Sequence, residues 1–283
     1  KPAPLTPTGG LTDSHIAVID RVAEIYQLEP HQIAAFLREE MEHSRMIEGR
    51  TVGKGQVSTD HLYEEEVGIF KVMALETLLQ PQHADFIKRH LADHERRSFE
   101  AFADWYIKTI SSLPFEHRAG YLHASQDASS EARHAEGIPD LTALLDIDVI
   151  NIFFVGHVIR QKANELRATG TQCGLIPLTE NLAEHSRKWF VEIFQDVPLA
   201  QGNPLLQAYH DEYGWAYYPP WALHVFVANR YAAARNTPEG VRRGLRKIEI
   251  YRALLAGENI PPKAAKSSQS RRGVAAAAPE AGR

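Results

Sequence analysis

The chain has 283 residues, of which 44% are hydrophobic and 24% charged, with a formal net charge of -5. That composition belongs to a globular protein of one large domain, or one and a half. The negative balance argues against a non-specific nucleic-acid binder, and the single cysteine, Cys173, excludes an internal disulfide framework or a metal site built from cysteines.

Residues 1–12 are rich in Pro, Gly and Thr and read as an extended arm. From there the apolar spacing is helical almost throughout. A first helix is expected from Asp13 or Ser14 to Gln27, and a second from near Pro30 to about Ile47, with Pro30 suited to a first turn. Gly49, Gly53 and Gly55 make a loop, followed by a helix from about Thr59 to Leu79. A long fourth helix should run from about Gln82 to Ile110, broken by Pro114. A fifth runs from Phe115 to Gly137, and a sixth, the most apolar, from Asp146 to about Ala168. Further helices are expected at 179–195, 203–213, 219–236 and 238–256. From Pro261 the chain is basic and of low complexity, which reads as a flexible tail over 261–283. Residues 13–260 are thus expected to form a single all-α domain. No apolar run approaches the ~20 residues of a membrane span, and the N-terminus lacks the apolar segment of a secretory signal. The expectation is a cytoplasmic protein with no membrane or nucleic-acid partner.

Two copies of Glu-x-x-His stand out: Glu40-Met-Glu-His43 and Glu131-Ala-Arg-His134. A carboxylate and an imidazole three residues apart lie on one helix face and can reach one ion. Two such helices, with one further carboxylate from each of two others, build the two-metal site of ferritin-like bundles. Hard anionic ligands with imidazoles suit non-haem iron. If the fourth and fifth helices form a hairpin about Pro114, Glu131 falls opposite Glu100 and Glu95, and Glu100 is preferred for its apolar neighbours Phe99 and Phe102. The same construction about Pro30 sets Glu40 opposite Asp20. Glu39 is an alternative ligand on the second helix. His123, Asp127, Glu131 and His134 fall on one stripe of the fifth helix, which makes His123 and Asp127 reserves; for Asp127 a solvated face is an equal reading. His157 lies within the apolar sixth helix, where a core histidine bonded to a neighbour is the commoner case. Glu184 and His185 are further reserves. The aromatic run from Tyr213 to Trp221 reads first as core or interface packing.

The stretch Ser125-Gln-Asp-Ala-Ser-Ser-Glu-Ala-Arg-His-Ala-Glu-Gly137 resembles the second metal-binding helix of ferritin-like di-iron oxygenases, such as the hydroxylases of bacterial multicomponent monooxygenases and the aromatic acyl-CoA epoxidases. Glu131 and His134 match that motif's Glu and His, and Glu40 and His43 those of the first motif. Ser130 stands where the family has Asp, and Glu42 where it often has Arg. The resemblance covers about residues 14–137. It implies a ferritin-like bundle over about 13–200 with additional C-terminal helices. It also implies a mono-oxygenase that activates O2 at two iron ions (Mn/Fe being open) and oxidises a small organic substrate, aromatic or acyl-thioester. No flavin, nicotinamide or iron–sulfur motif is visible, so electrons would come from a separate protein. A homo-oligomer is left open. Two competing expectations are a non-catalytic helical subunit or interaction protein, and a haem-oxygenase-like oxidase with another ligand set.

Overall fold

A computed structural model describes residues 2–8, 10–43, 51–52, 57–58, 65–172 and 238–262. Its elements are α1 (Asp13–Tyr26), α2 (Pro30–His43), β1 (Thr51–Val52), β2 (Val57–Ser58), α3 (Glu65–Leu78), α4 (Pro81–Lys88), α5 (Asp93–Thr109), α6 (Phe115–Asp127), α7 (Ser130–Glu136), α8 (Leu141–Leu145), α9 (Asp148–Gln172) and α10 (Pro238–Ala256). The regular structure of the described part is helical apart from the two-residue strands, which pair antiparallel with Val52 opposite Val57. None of its helices is long and apolar enough to cross a membrane.

The core is organised around α9. Val149, Ile150, Ile152, Phe153, Phe154, Val155 and Ile159 are all buried, as expected of a helix that is apolar on every side. Helices α1, α2, α3 and α8 pack against it. The buried Asn151 does not break this surface, because its side-chain amide donates to the Leu145 carbonyl at 2.9 Å and so leaves no unpaired donor in the core.

The α1–α9 seam is a close contact. Val18, Ile19, Val22, Ala23 and Tyr26 form the buried face of α1. Gly156 of α9 sits so close to it that an added Cβ would come within 2.2 Å of Val22 Cγ1 and 3.1 Å of the Tyr26 ring. Both ends of α1 are tied down. Thr12 caps its N-terminus while the His15 imidazole accepts from the Thr12 amide at 3.0 Å. With Nδ1 so used, the proton sits on Nε2, which faces Asp148 of α9 at 3.3 Å. At the other end Arg160 of α9 donates to the carbonyls of Tyr26 and Gln27, placing a cation at the negative end of the helix. Gln27 takes the left-handed conformation that ends α1.

Two expected helices are each divided. The long fourth helix is two, α4 and α5, because the chain turns at residues 89–92. There the Glu95 carboxylate folds back to accept from the Ala92 amide at 2.8 Å, restarting the helix with Asp93 and Glu95 in its first turn. The fifth is α6 and α7. Ala128 is extended, and the Ser129 hydroxyl accepts from the Ala132 amide at 3.2 Å to cap a new helix. The short helix α8 and the β1–β2 ladder were not expected. The helices expected at 179–195, 203–213 and 219–236, the run Tyr213–Trp221, Cys173 and most of the tail lie outside the described residues.

The α1–α9 seam also holds His157, whose ring meets the edge of Tyr26 at 5.5 Å between centroids. Its Nε2 and the Tyr26 hydroxyl are both buried without a hydrogen bond of good geometry, although the Thr77 hydroxyl lies beside the phenol and favours its ionised form slightly. Burial pushes the His157 imidazole down to about 4 and holds the Tyr26 phenol well above its ordinary value. Two outcomes follow. Gly156→Ala should lower stability by about 1–3 kcal/mol or more, because Val22 and Tyr26 must move; thermal melting reads this, and an unchanged midpoint would refute the packing argument. His157 binds its proton more weakly folded than unfolded, so its contribution is complete above about pH 6.5, falls as pH drops towards 4, and levels off below. His157→Leu should flatten that part of a stability-against-pH profile measured by urea unfolding.

Candidate functional site

The second helix carries three carboxylates in its last five residues, Glu39, Glu40 and Glu42, and the structure uses them within the protein. Glu39 is fully buried and Glu40 is 6% exposed. Isolated, two adjacent carboxylates at that depth would be strongly disfavoured as ions. Helix α10, whose chief neighbour is α2, supplies the counter-charge. Arg243 grips both: Nε and Nη2 donate to Glu39 at 2.9 and 3.1 Å, and Nη2 also donates to Glu40 at 2.5 Å. The Lys247 ammonium, only 1% exposed, bridges Glu39 and Glu40 and lies 5.0 Å from the Phe36 ring centroid, a favourable place for a cation. One turn on, Arg246 donates to Glu42 at 2.6 and 2.9 Å and to Glu249 at 2.5 Å. Burial alone would lower the Arg243 guanidinium, but its bonds to Glu39 and the charges of Glu40 and Glu39 outweigh that and hold it raised. Arg246 is raised mainly by its bonds to Glu42. Each carboxylate of the pair therefore meets a cation, two cations for two carboxylates, and the cluster is an ionic lock between α2 and α10.

The other proposed ligands stand elsewhere. Asp20 is exposed on α1. Desolvation raises its carboxyl, with His31 opposing and Glu24 adding. Glu40 does not turn toward it; it faces α10. Glu100 is exposed on α5, although its neighbours Phe99 and Phe102 are buried, and Glu95 serves the start of its own helix. Glu131 and His134 are exposed on the seven-residue α7. Glu131 is held below the ordinary carboxylate range by its own backbone amide and the Ser129 hydroxyl, the expected effect of a helix N-terminus. His123 is half-buried and Asp127 exposed on α6, and the break at Ala128 and Ser129 interrupts the stripe that would align them with Glu131 and His134. The hairpin that would bring Glu100 to Glu131 is absent as drawn, since α6 packs chiefly on α3 and α5 on α8. The His43 side chain, Glu184 and His185 lie outside the described residues.

A two-metal site needs carboxylates from four helices converging on a shared space. The described donors do not fit that requirement: Glu39 and Glu40 are held by Arg243 and Lys247, while Glu131 and His134 are exposed on a separate helix. Among the described residues no group of three or more His, Cys, Asp or Glu side chains is placed to hold a metal ion. No family model, no curated protein and no solved structure matches the chain.

The residues that sequence reasoning passed over are Arg243, Arg246 and Lys247. Their spacing was a readable signal, since positions i, i+3 and i+4 set three cations on one helix face, the complement of the acidic second helix. If the lock is as described, Lys247→Met should cost about 3–5 kcal/mol, because it leaves a buried carboxylate short of its partner. The double variant Glu39→Met with Lys247→Met should recover at least half of that loss in urea unfolding at pH 7. Equal midpoints for wild type and Lys247→Met would show that the buried pair carries no stability.

Proposed function

We propose that this chain is a non-catalytic helical protein, acting through binding or assembly, in which the first Glu-x-x-His segment serves the fold. The observation that carries this reading is the occupation of Glu39 and Glu40 by Arg243 and Lys247 inside the protein. A metal ion bound there would have to displace two resident cations, leaving Lys247 buried and unpaired, which is costly. The exposure of Asp20, Glu100, Glu131 and His134, against the burial of Glu39 and Glu40, supports the same reading.

The second reading is the di-iron oxygenase that the motifs resemble. It is favoured by one specific feature: Glu131 and His134 share the exposed surface of α7, with the carboxylate held ionised, so both are available to a metal if further ligands reach them.

One measurement separates the two. After iron-replete expression, purified full-length protein should carry well below one iron per chain, and Glu131→Ala with His134→Ala should leave that content unchanged. About two irons per chain, lost in the Glu131 and His134 variants, would overturn the non-catalytic reading and restore the oxygenase.

A further inference from the structure

We propose that α10 and the N-terminal arm, residues 2–8, form a latch that opens from α2 as one unit while the α1–α9 core stays folded. The latch is built differently from the core it covers. Of the fully buried apolar side chains described on α10, Ile248 joins the main core, whereas Ile250 and Tyr251 form a small cluster of their own with Ala35 of α2. Leu254, Leu255 and Ile260 pack at the margin of that small cluster. The described polar contacts between α10 and the α2 segment are ionic, Arg243, Arg246 and Lys247 against Glu39, Glu40 and Glu42, with the Tyr251 hydroxyl donating to Glu29.

The arm laces the free end of this helix to α2. The Ala3 amide donates to the Leu255 carbonyl at 2.9 Å, and the His31 imidazole of α2 donates from Nε2 to the Ala3 carbonyl at 2.8 Å. Farther along the arm, Arg38 of α2 approaches the Thr8 carbonyl at 3.4 Å. Behind α10 the chain turns at Gly257, left-handed at φ +70°, where a Cβ would lie 3.0 Å from that of Ala3. Arm, helix end and turn are therefore one interlocked piece.

Physical chemistry favours opening along this line. Charged groups that separate into water regain hydration, which offsets most of the attraction they lose. Apolar side chains leaving α9 regain nothing comparable. Regions with few buried apolar contacts open sub-globally well before the core does. In the open form α2 presents Ala35, Glu39 and Glu40 together, an acidic surface beside a small apolar patch.

This inference rests on the structural reading of Glu39 and Glu40, and its test reads α10 directly rather than metal content. Native-state hydrogen exchange of the full chain in low urea, followed by mass spectrometry, compares peptides from 241–256 and 2–8 with those from 148–160. The first two should exchange together, through an opening at least about 100-fold more populated than that of the third. Arg243→Met should raise exchange of both latch segments about tenfold or more and leave 148–160 within about twofold. Exchange of 241–256 only together with 148–160, or of arm and helix through separate openings, would overturn the proposal. The wild-type comparison decides this even if the variant does not fold.

Discussion

Two carboxylates side by side in a protein interior cannot remain ionised unless cations come to them, and this constraint shapes the α2–α10 half of the molecule. Glu39 lies on the side of α2 turned away from Ile33 and Leu37, which are fully buried in the main core, and Glu40 follows Leu37 one turn on, where the apolar stripe ends. Once α2 commits its apolar face to α9 and α1, the acidic face has to meet either water or a basic partner. Helix α10 is that partner, reaching across more than two hundred residues of sequence. The pairs add little net stability over what apolar residues of the same size would give. Arg243 and Lys247 each meet both Glu39 and Glu40, so the four charges come together at one level of α2 and α10.

The core obeys a different rule. Helix α9 is held by shape, with Gly156 letting α1 approach closer than any side chain would permit, and by polar groups at its margins. His15 and Arg160 connect the two ends of α1 to α9. His83 closes the end of α3 by donating to the Thr77 carbonyl at 2.8 Å. Arg118 of α6 reaches Glu76 of α3 at 2.5 Å and the carbonyls of Ser111 and Leu113. Beneath it the buried Tyr106 hydroxyl donates to the same Glu76 at 3.3 Å. In each case a charged or polar side chain closes a helix end or bridges two helices, so that few backbone groups are stranded where loops enter the core.

The periodicity of apolar residues made the all-helical character readable, along with α1, α2, α9 and α10 nearly to their ends. It did not reveal the breaks at residues 89–92 and 128–129. The apolar rhythm continues across both, and neither contains Gly or Pro. What stops the helix is a side chain capping the next one, Glu95 in the first case and Ser129 in the second. A capping residue competes with helix continuation by a small free energy that hydrophobic spacing does not record.

The same small competition decides how the motifs read. Glu-x-x-His specifies that two side chains share a helix face, and among the described side chains Glu131 and His134 of α7 satisfy that. It says nothing about what the face looks toward. On α2 the face is claimed by a basic helix whose own pattern, Arg243, Arg246 and Lys247, is as regular as the motif itself. On α7 the cap at Ser129 swings the pair away from the line of α6, so His123 and Asp127 lose the alignment that a continuous helix would have given them. A chelating pattern and a salt-bridging pattern are identical until the opposite surface is known. Of the two, the one that finds its counter-charge within its own chain has less reason to bind an ion from solution.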